Sequence, residues 1–166
     1  VLHILAWIIF IGLCINAGAI LFNVIYALFI GSNITSNFWQ GLDFSSLWNH
    51  DHGWFLTIVA QMFIIEVLKA LLFFTIIKLF LNKKLDFSKP FNIDLKNCLL
   101  VICYISLGIS FFTNFGKKYA NELILKGVQM PEMHQLNFVG ADVWLFMAII
   151  LFVIAQIFKR GIEIQQ

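Results

Sequence analysis

Charged residues are few in this chain. Asp, Glu, Lys and Arg make up 12% of the 166 residues and hydrophobic residues make up 61%, against roughly 25% and 45–50% in soluble domains. With a mean hydropathy of +0.90, so much apolar surface cannot be hidden in one core of this size, and lipid must solvate most of it. A soluble globule is excluded. The net charge of +2, from 11 Lys+Arg against 9 Asp+Glu, is too small for a nucleic-acid binder. No basic run interleaves with stacking aromatics, so nucleic acid is not a direct ligand.

Cysteine is scarce as well. Cys14, Cys98 and Cys103 all fall within apolar segments. Their odd number and the lack of C-x-x-C spacing argue against a disulfide framework and a zinc site, and they read as small packing residues. Nucleophile elbow, phosphate loop, HExxH helix and paired catalytic carboxylates are missing, so nothing supports an enzyme and no cofactor is implied. Fixed-period repeats and low-complexity linkers are also missing, which leaves residues 1–166 as a single integral membrane domain. The chain opens at Val1 and stops at Gln166 within a helical pattern, as an excerpt would. Residues 2–30 are too long for a signal-peptide core of about 7–15 residues, and no cleavage site follows them.

What is present is apolar length. Four segments, 2–30, 54–81, 98–115 and 139–158, can each cross a hydrocarbon layer of about 30 Å, and backbone in lipid must be helical to pair its own polar groups. The expected fold is an all-α membrane protein, a four-transmembrane-helix bundle. The third segment is short, and Ser106, Gly108, Ser110 and Thr113 suit it to helix contact. Residues 31–53 contain no Lys or Arg, whereas Lys83, Lys84, Lys89 and Lys96 crowd the next connection beside Lys78, and Lys159 and Arg160 follow the last segment. Lysine and arginine are retained in the cytoplasm, so both termini are expected there. Lys117, Lys118 and Lys126, set against Glu122 and Glu132, are a weaker dissent. Phe38, Trp39, Phe44, Trp48 and Trp54 read as an aromatic collar at the outer headgroup level, joined by Trp144. Asp142 is placed to cap the last helix.

Three constellations carry possible chemistry. Gly12, Asn16, Ala19, Asn23 and Tyr26 recur at four- and three-residue steps on one helical face, which should meet protein because amides facing lipid go unpaired. Cys14 and Gly18 form a second small-residue pair beside it. In the second segment, Gln61, Glu66 and Lys69 stand where ions are rare; Glu66 is about 18 Å along a helix from Trp54, near mid-bilayer. Lys69, three residues on, can neutralise it as a structural pair, or the two can serve a proton or ion route. The third constellation is His50, Asp51 and His52, with His134 able to join them in holding a divalent metal; solvated loop histidines are the plainer alternative. His3 stands apart, so no facing histidines offer haem ligation.

The run Asn82, Lys83, Lys84, Leu85, Asp86, Phe87, Ser88, Lys89, Pro90, Phe91, followed by Leu95, Lys96 and Asn97, and the close AQIFKRGIEIQQ over residues 155–166 resemble a bacterial four-span membrane family, domain of unknown function 2975. The resemblance covers the second half of the chain best. It implies a bacterial cytoplasmic-membrane protein with cytoplasmic ends and, through the small helix-turn-helix regulators encoded beside its members, a soluble DNA-binding partner. It brings no catalytic residues. Two functions follow as expectations. One is an interaction protein whose cytoplasmic face, residues 81–97 and 158–166, engages a regulatory partner. The other is a small transporter using Glu66, Lys69, Asn16 and Asn23. Homo-oligomers are compatible with either.

Overall fold

The computed structural model describes residues 2–81 and 92–165, which leaves Lys83, Lys84, Lys89 and the motif around them outside the described residues. Every regular element in the described part is helical: α1 (Leu2–Ile30), short 3-10 turns at Ser32–Asn37 and Trp39–Gly41, α2 (Ser45–His50), α3 (His52–Leu81), α4 (Ile93–Leu125) and α5 (Ala141–Gln165). Three helices are long and apolar enough to cross a membrane: Leu2–Ile30, Ile93–Leu125 and Ala141–Ile164.

The long helices stand in an open row, not in the closed bundle expected. α1 packs on α3, α3 on α4 and α4 on α5, while α1 makes no close backbone approach to α4 or α5, and α3 makes none to α5. The reason lies in the width of the seams. α1 buries Ala6, Ala17, Ile20 and Ala27, with Phe10, Leu13 and Val24 half-buried between them. Those positions step by four and three residues, a stripe wide enough for one neighbour only. α5 buries Ala148 and Ala155, two turns apart, against α4, and its other faces expose Val143, Phe146 and Ile157. Helix α3, held from both flanks, buries ten of its residues, from Phe55 to Ile77.

Neighbours run antiparallel. The rings of His3 and Phe80 lie 6.4 Å apart and those of Phe10 and Phe74 5.8 Å apart, so the start of α1 meets the end of α3. The Cys103 thiol donates to the carbonyl of Ala148 at 3.2 Å and the Ser110 hydroxyl to that of Ala141 at 2.6 Å. These bonds join α4 to α5 where apolar burial gives no driving force in lipid. At one end of the row, called basal below, α1 and α4 start and α3 and α5 finish. Lys78, Lys96, Lys159 and Arg160 all belong to that end.

The opposite end carries a folded cap. Phe38, Phe44 and Phe55 are fully buried and meet edge to face, with centroids 5.3 Å apart for Phe38–Phe44 and 5.7 Å for Phe44–Phe55. Trp48 joins them at 5.1 Å from Phe55. The expected aromatic collar is therefore corrected: Phe38 and Phe44 form a small core with Phe55, because the surrounding turns and helices supply walls that a headgroup layer would not. Asp51 caps α3 by accepting from the N–H groups of Gly53 at 2.5 Å and Trp54 at 3.2 Å. Asp142 lies inside the first turn of α5, where it complements the helix dipole without being the cap.

α4 runs ten residues beyond the segment expected to end at Phe115. Counting apolar length stops at Lys117, but Thr113, Gly116, Ala120 and Leu123 are buried at three- and four-residue steps while Lys117, Lys118, Asn121 and Glu122 face outward. The helix turns amphipathic as it enters the cap. It ends in a Schellman motif: Gly127 has φ 85°, Val128 N–H donates to Leu123 O at 3.1 Å and Gly127 N–H to Ile124 O at 2.9 Å. A Cβ on Gly116 would sit 2.6 Å from Phe138 Cδ1 and 2.7 Å from Gln61 Oε1. Gly116→Ala should therefore cost about 1–3 kcal/mol through overpacking, measured as a lowered thermal unfolding midpoint in detergent, whereas Gly12→Ala, with nothing within 4 Å, should leave it unchanged.

Candidate functional site: an ion pair closed by the cap

The last stretch of the cap, residues 126–140, folds back onto the middle of α3. Its second Schellman motif sets this geometry. Phe138 N–H donates to Met133 O at 3.0 Å and Asn137 N–H to His134 O at 3.2 Å, which places Asn137 at the left-handed position with φ 61°. Asparagine tolerates that conformation better than any branched residue. Phe138 then plugs the space over Gly116 and Gln61, and Leu136 and Phe138 are fully buried.

So placed, the Asn137 amide closes a triangle with the two ions of α3. Lys69 Nζ donates to Glu66 Oε1 at 3.3 Å and to Asn137 Oδ1 at 3.0 Å, while Asn137 Nδ2 donates to Glu66 Oε1 at 2.9 Å. Glu66 is 2% exposed, and the Lys69 side chain keeps 19% exposure. Asn137 was not among the residues singled out from the sequence. The available signal was its place between Leu136 and Phe138 in a polar connection, which gives no hint of a partner seventy residues away.

The height of Glu66 along the row can be read from its neighbours. Asn137 lies just before α5, and Ser110 bonds the carbonyl of Ala141, so Glu66 is level with the start of α5 and not with its middle. α3 begins well inside the cap: Trp54 packs on Tyr119 at 5.3 Å and beneath Lys126 Nζ at 4.6 Å. Glu66 also shares a cavity with Asn16, at the middle of α1.

Beside the triangle is a cavity of about 20 Å³, lined by Asn16, Trp39, Gln40, Met62, Glu66 and Gln135 among others. It has close to the room one water molecule needs. Glu66 Oε2, Trp39 Nε1 and, one turn away, Gln61 Oε1 are buried without hydrogen-bond partners. Gln40, whose φ of 61° is left-handed, holds this corner of the cap in an uncommon conformation for its residue type.

The remaining predicted residues separate. Asn16 reaches the cavity, but Asn23 donates its amide to Ala19 O at 2.8 Å within its own helix. The face of α1 that meets α3 is the alanine stripe, one residue out of phase with the polar one, and Gly12, Gly18, Cys14 and Tyr26 are exposed. Alanines win that seam because they permit closer approach than amides. His52 packs its ring against Trp48 at 4.2 Å, Asp51 is committed to capping α3, and His50, His52 and His134 join no group of three His, Cys, Asp or Glu side chains able to hold a metal among the described residues. At α2, the Ser45 hydroxyl and backbone N–H, at 2.6 and 2.9 Å, hold the Asp43 carboxyl below its ordinary pKa.

Comparison with protein-family models, curated proteins and solved structures finds no match for this chain.

Removing one ion should cost more than removing both. Lys69→Met leaves a buried carboxylate uncompensated and should destabilise by about 3–5 kcal/mol. Adding Glu66→Gln to it should restore most of the loss, since a neutral amide still accepts from Asn137. Chemical unfolding of the single and double variants in detergent measures the difference, and equal losses in both would contradict the pairing.

Proposed function

We propose that this chain is a four-span integral protein of a bacterial cytoplasmic membrane that acts by holding a soluble regulatory partner, and that it is not an enzyme. The observation that carries this reading is the closure of Glu66 and Lys69 on each other and on Asn137. The charged groups of the helical core are tied off as a clasp for the cap, so activity is left to surfaces. α3 serves as the fourth span, because it runs antiparallel to α1 along most of that helix, from His3 beside Phe80 to a cavity that Val24 and Val59 both line. A crossing by α1 carries α3 with it. With all four spans, Lys78, Lys96, Lys159 and Arg160 collect at the basal end, which the positive-inside rule assigns to the cytoplasm together with both termini.

The partner surface is then the basal face, with Lys78, Lys96, Lys159 and Arg160 among its described residues, and the resemblance to domain of unknown function 2975 supports a helix-turn-helix protein as its occupant. A second reading, translocation of a proton or small ion through Glu66, has one observation in its favour: Glu66 Oε2 is unpartnered and borders the small cavity.

Purification of the full-length protein from its native membrane in mild detergent separates the two. The expected result is a stoichiometric DNA-binding protein that is lost when Lys159 and Arg160 are both changed to Gln. Recovery of the membrane protein alone, together with a flux abolished by Glu66→Gln in a correctly folded variant, would overturn the first reading in favour of the second.

A further inference from the structure

Between the basal halves of α3 and α4 lies a groove of about 320 Å³, within the size range of ligand sites. Its lining is graded along the helix axes. Phe74, Thr75 and Val101 lie toward the middle of the row, and Lys78, Asp94 and Asn97, with Leu79 beside them, lie toward the helix ends. Apolar walls therefore lead outward to a polar rim, the same order of chemistry as a phospholipid read from tail to headgroup.

The rim carries one charge of each sign. The ion pairs among the described residues are Glu66–Lys69 and Glu122–Lys126, so Lys78 and Asp94 face one groove without bonding each other. Asp94 is held in place by the N-terminal turn of α4, where its backbone N–H donates to Asn92 Oδ1 at 2.8 Å. An anionic headgroup complements Lys78 alone and meets Asp94 with repulsion. A headgroup with a phosphate and a primary ammonium complements both, and the ammonium supplies N–H donors for the Asp94 carboxylate and the Asn97 amide oxygen.

We propose that this groove binds one aminophospholipid, its phosphate on Lys78, its ammonium on Asp94 and Asn97, and an acyl chain along Phe74 and Val101. The inference rests on the reading of this chain as membrane-spanning with the basal end at a lipid–water border. Lys78 then does more than snorkel, and the lipid fills the groove between α3 and α4.

The full chain, reconstituted in vesicles of equal phosphatidylethanolamine, phosphatidylglycerol and phosphatidylcholine, is extracted gently and its retained lipid counted by native mass spectrometry. One phosphatidylethanolamine per chain is expected, favoured about tenfold or more over the other two, as one charge-assisted hydrogen bond provides. Lys78→Gln and Asp94→Asn should each lower retention by a similar factor, and Val101→Trp, which fills the groove and leaves both charges, should abolish it. Unfolding midpoints of the three variants check that each is folded. Equal retention of phosphatidylglycerol, undiminished retention in Asp94→Asn, or retention by Val101→Trp would overturn the proposal. Accessibility labelling of a cysteine replacing Glu163 tests orientation separately: an outward-facing basal end would refute the topology proposed above while the lipid count still decides the groove.

Discussion

The burial of the Glu66 carboxylate is the constraint from which much of this structure follows. A charge removed from water needs a counter-charge and hydrogen-bond donors close by. Lys69 supplies the first from the next turn of the same helix, but one lysine cannot occupy every lone pair, so a second donor must come from elsewhere in the chain. It comes from Asn137, and to deliver it the segment 126–140 must fold back from the far end of α4. Each step of that return has a visible device: Gly127 to end α4 sharply, a second Schellman turn to aim Asn137, and Phe138 to fill the space that Gly116 leaves open. Replacing Gly116 by any other residue would push Phe138 out and loosen the donor that the carboxylate needs.

The open row is a consequence of how helices associate in lipid. Apolar side chains gain nothing by leaving lipid for one another, so association depends on close approach and on hydrogen bonds. Each seam here has one of these. α1 meets α3 through Ala6, Ala17 and Ala27, whereas α4 and α5 combine Ala148 and Ala155 with bonds from Cys103 and Ser110 to backbone carbonyls. No seam is broad enough to recruit a third helix, so the first and last helices each keep one neighbour. α3 and α4 are each flanked on both sides, and α3, which the cap also roofs, buries ten of its residues.

Apolar length made the helices legible in the sequence. α1 and α3 begin and end close to the limits read from hydropathy, and the small residues of the third segment do lie against other helices: Ser106, Ser110 and Thr113 are all buried. The Glu66–Lys69 pair was legible because three residues on a helix make neighbours. What escaped was set by partners distant in sequence. The phase of the α1 seam is invisible when Asn16 and Asn23 lie one residue from the alanines that win. The tail of α4 hides behind Lys117 because lipid-facing and cap-facing helices follow different rules. Asn137 is a loop asparagine like any other until its backbone geometry is known, and Phe38 and Phe44 look like membrane-border aromatics until the turns that enclose them are seen.

The position of the ion pair along the row bears on what it does. A charge at the centre of a bilayer is costly enough that its presence calls for a functional role. The pair here is level with the start of α5 and lies beneath the cap, and Asn137 offsets part of its desolvation penalty. A clasp needs only that its two ions and one amide stay together, while a translocation site needs one of them to be released and a path on both sides. The unpartnered Glu66 Oε2 opens toward a cavity of single-water size between α1 and the cap, which gives the carboxylate a neighbour on the cap side alone. Held in this way, Glu66 and Lys69 fasten the cap to α3.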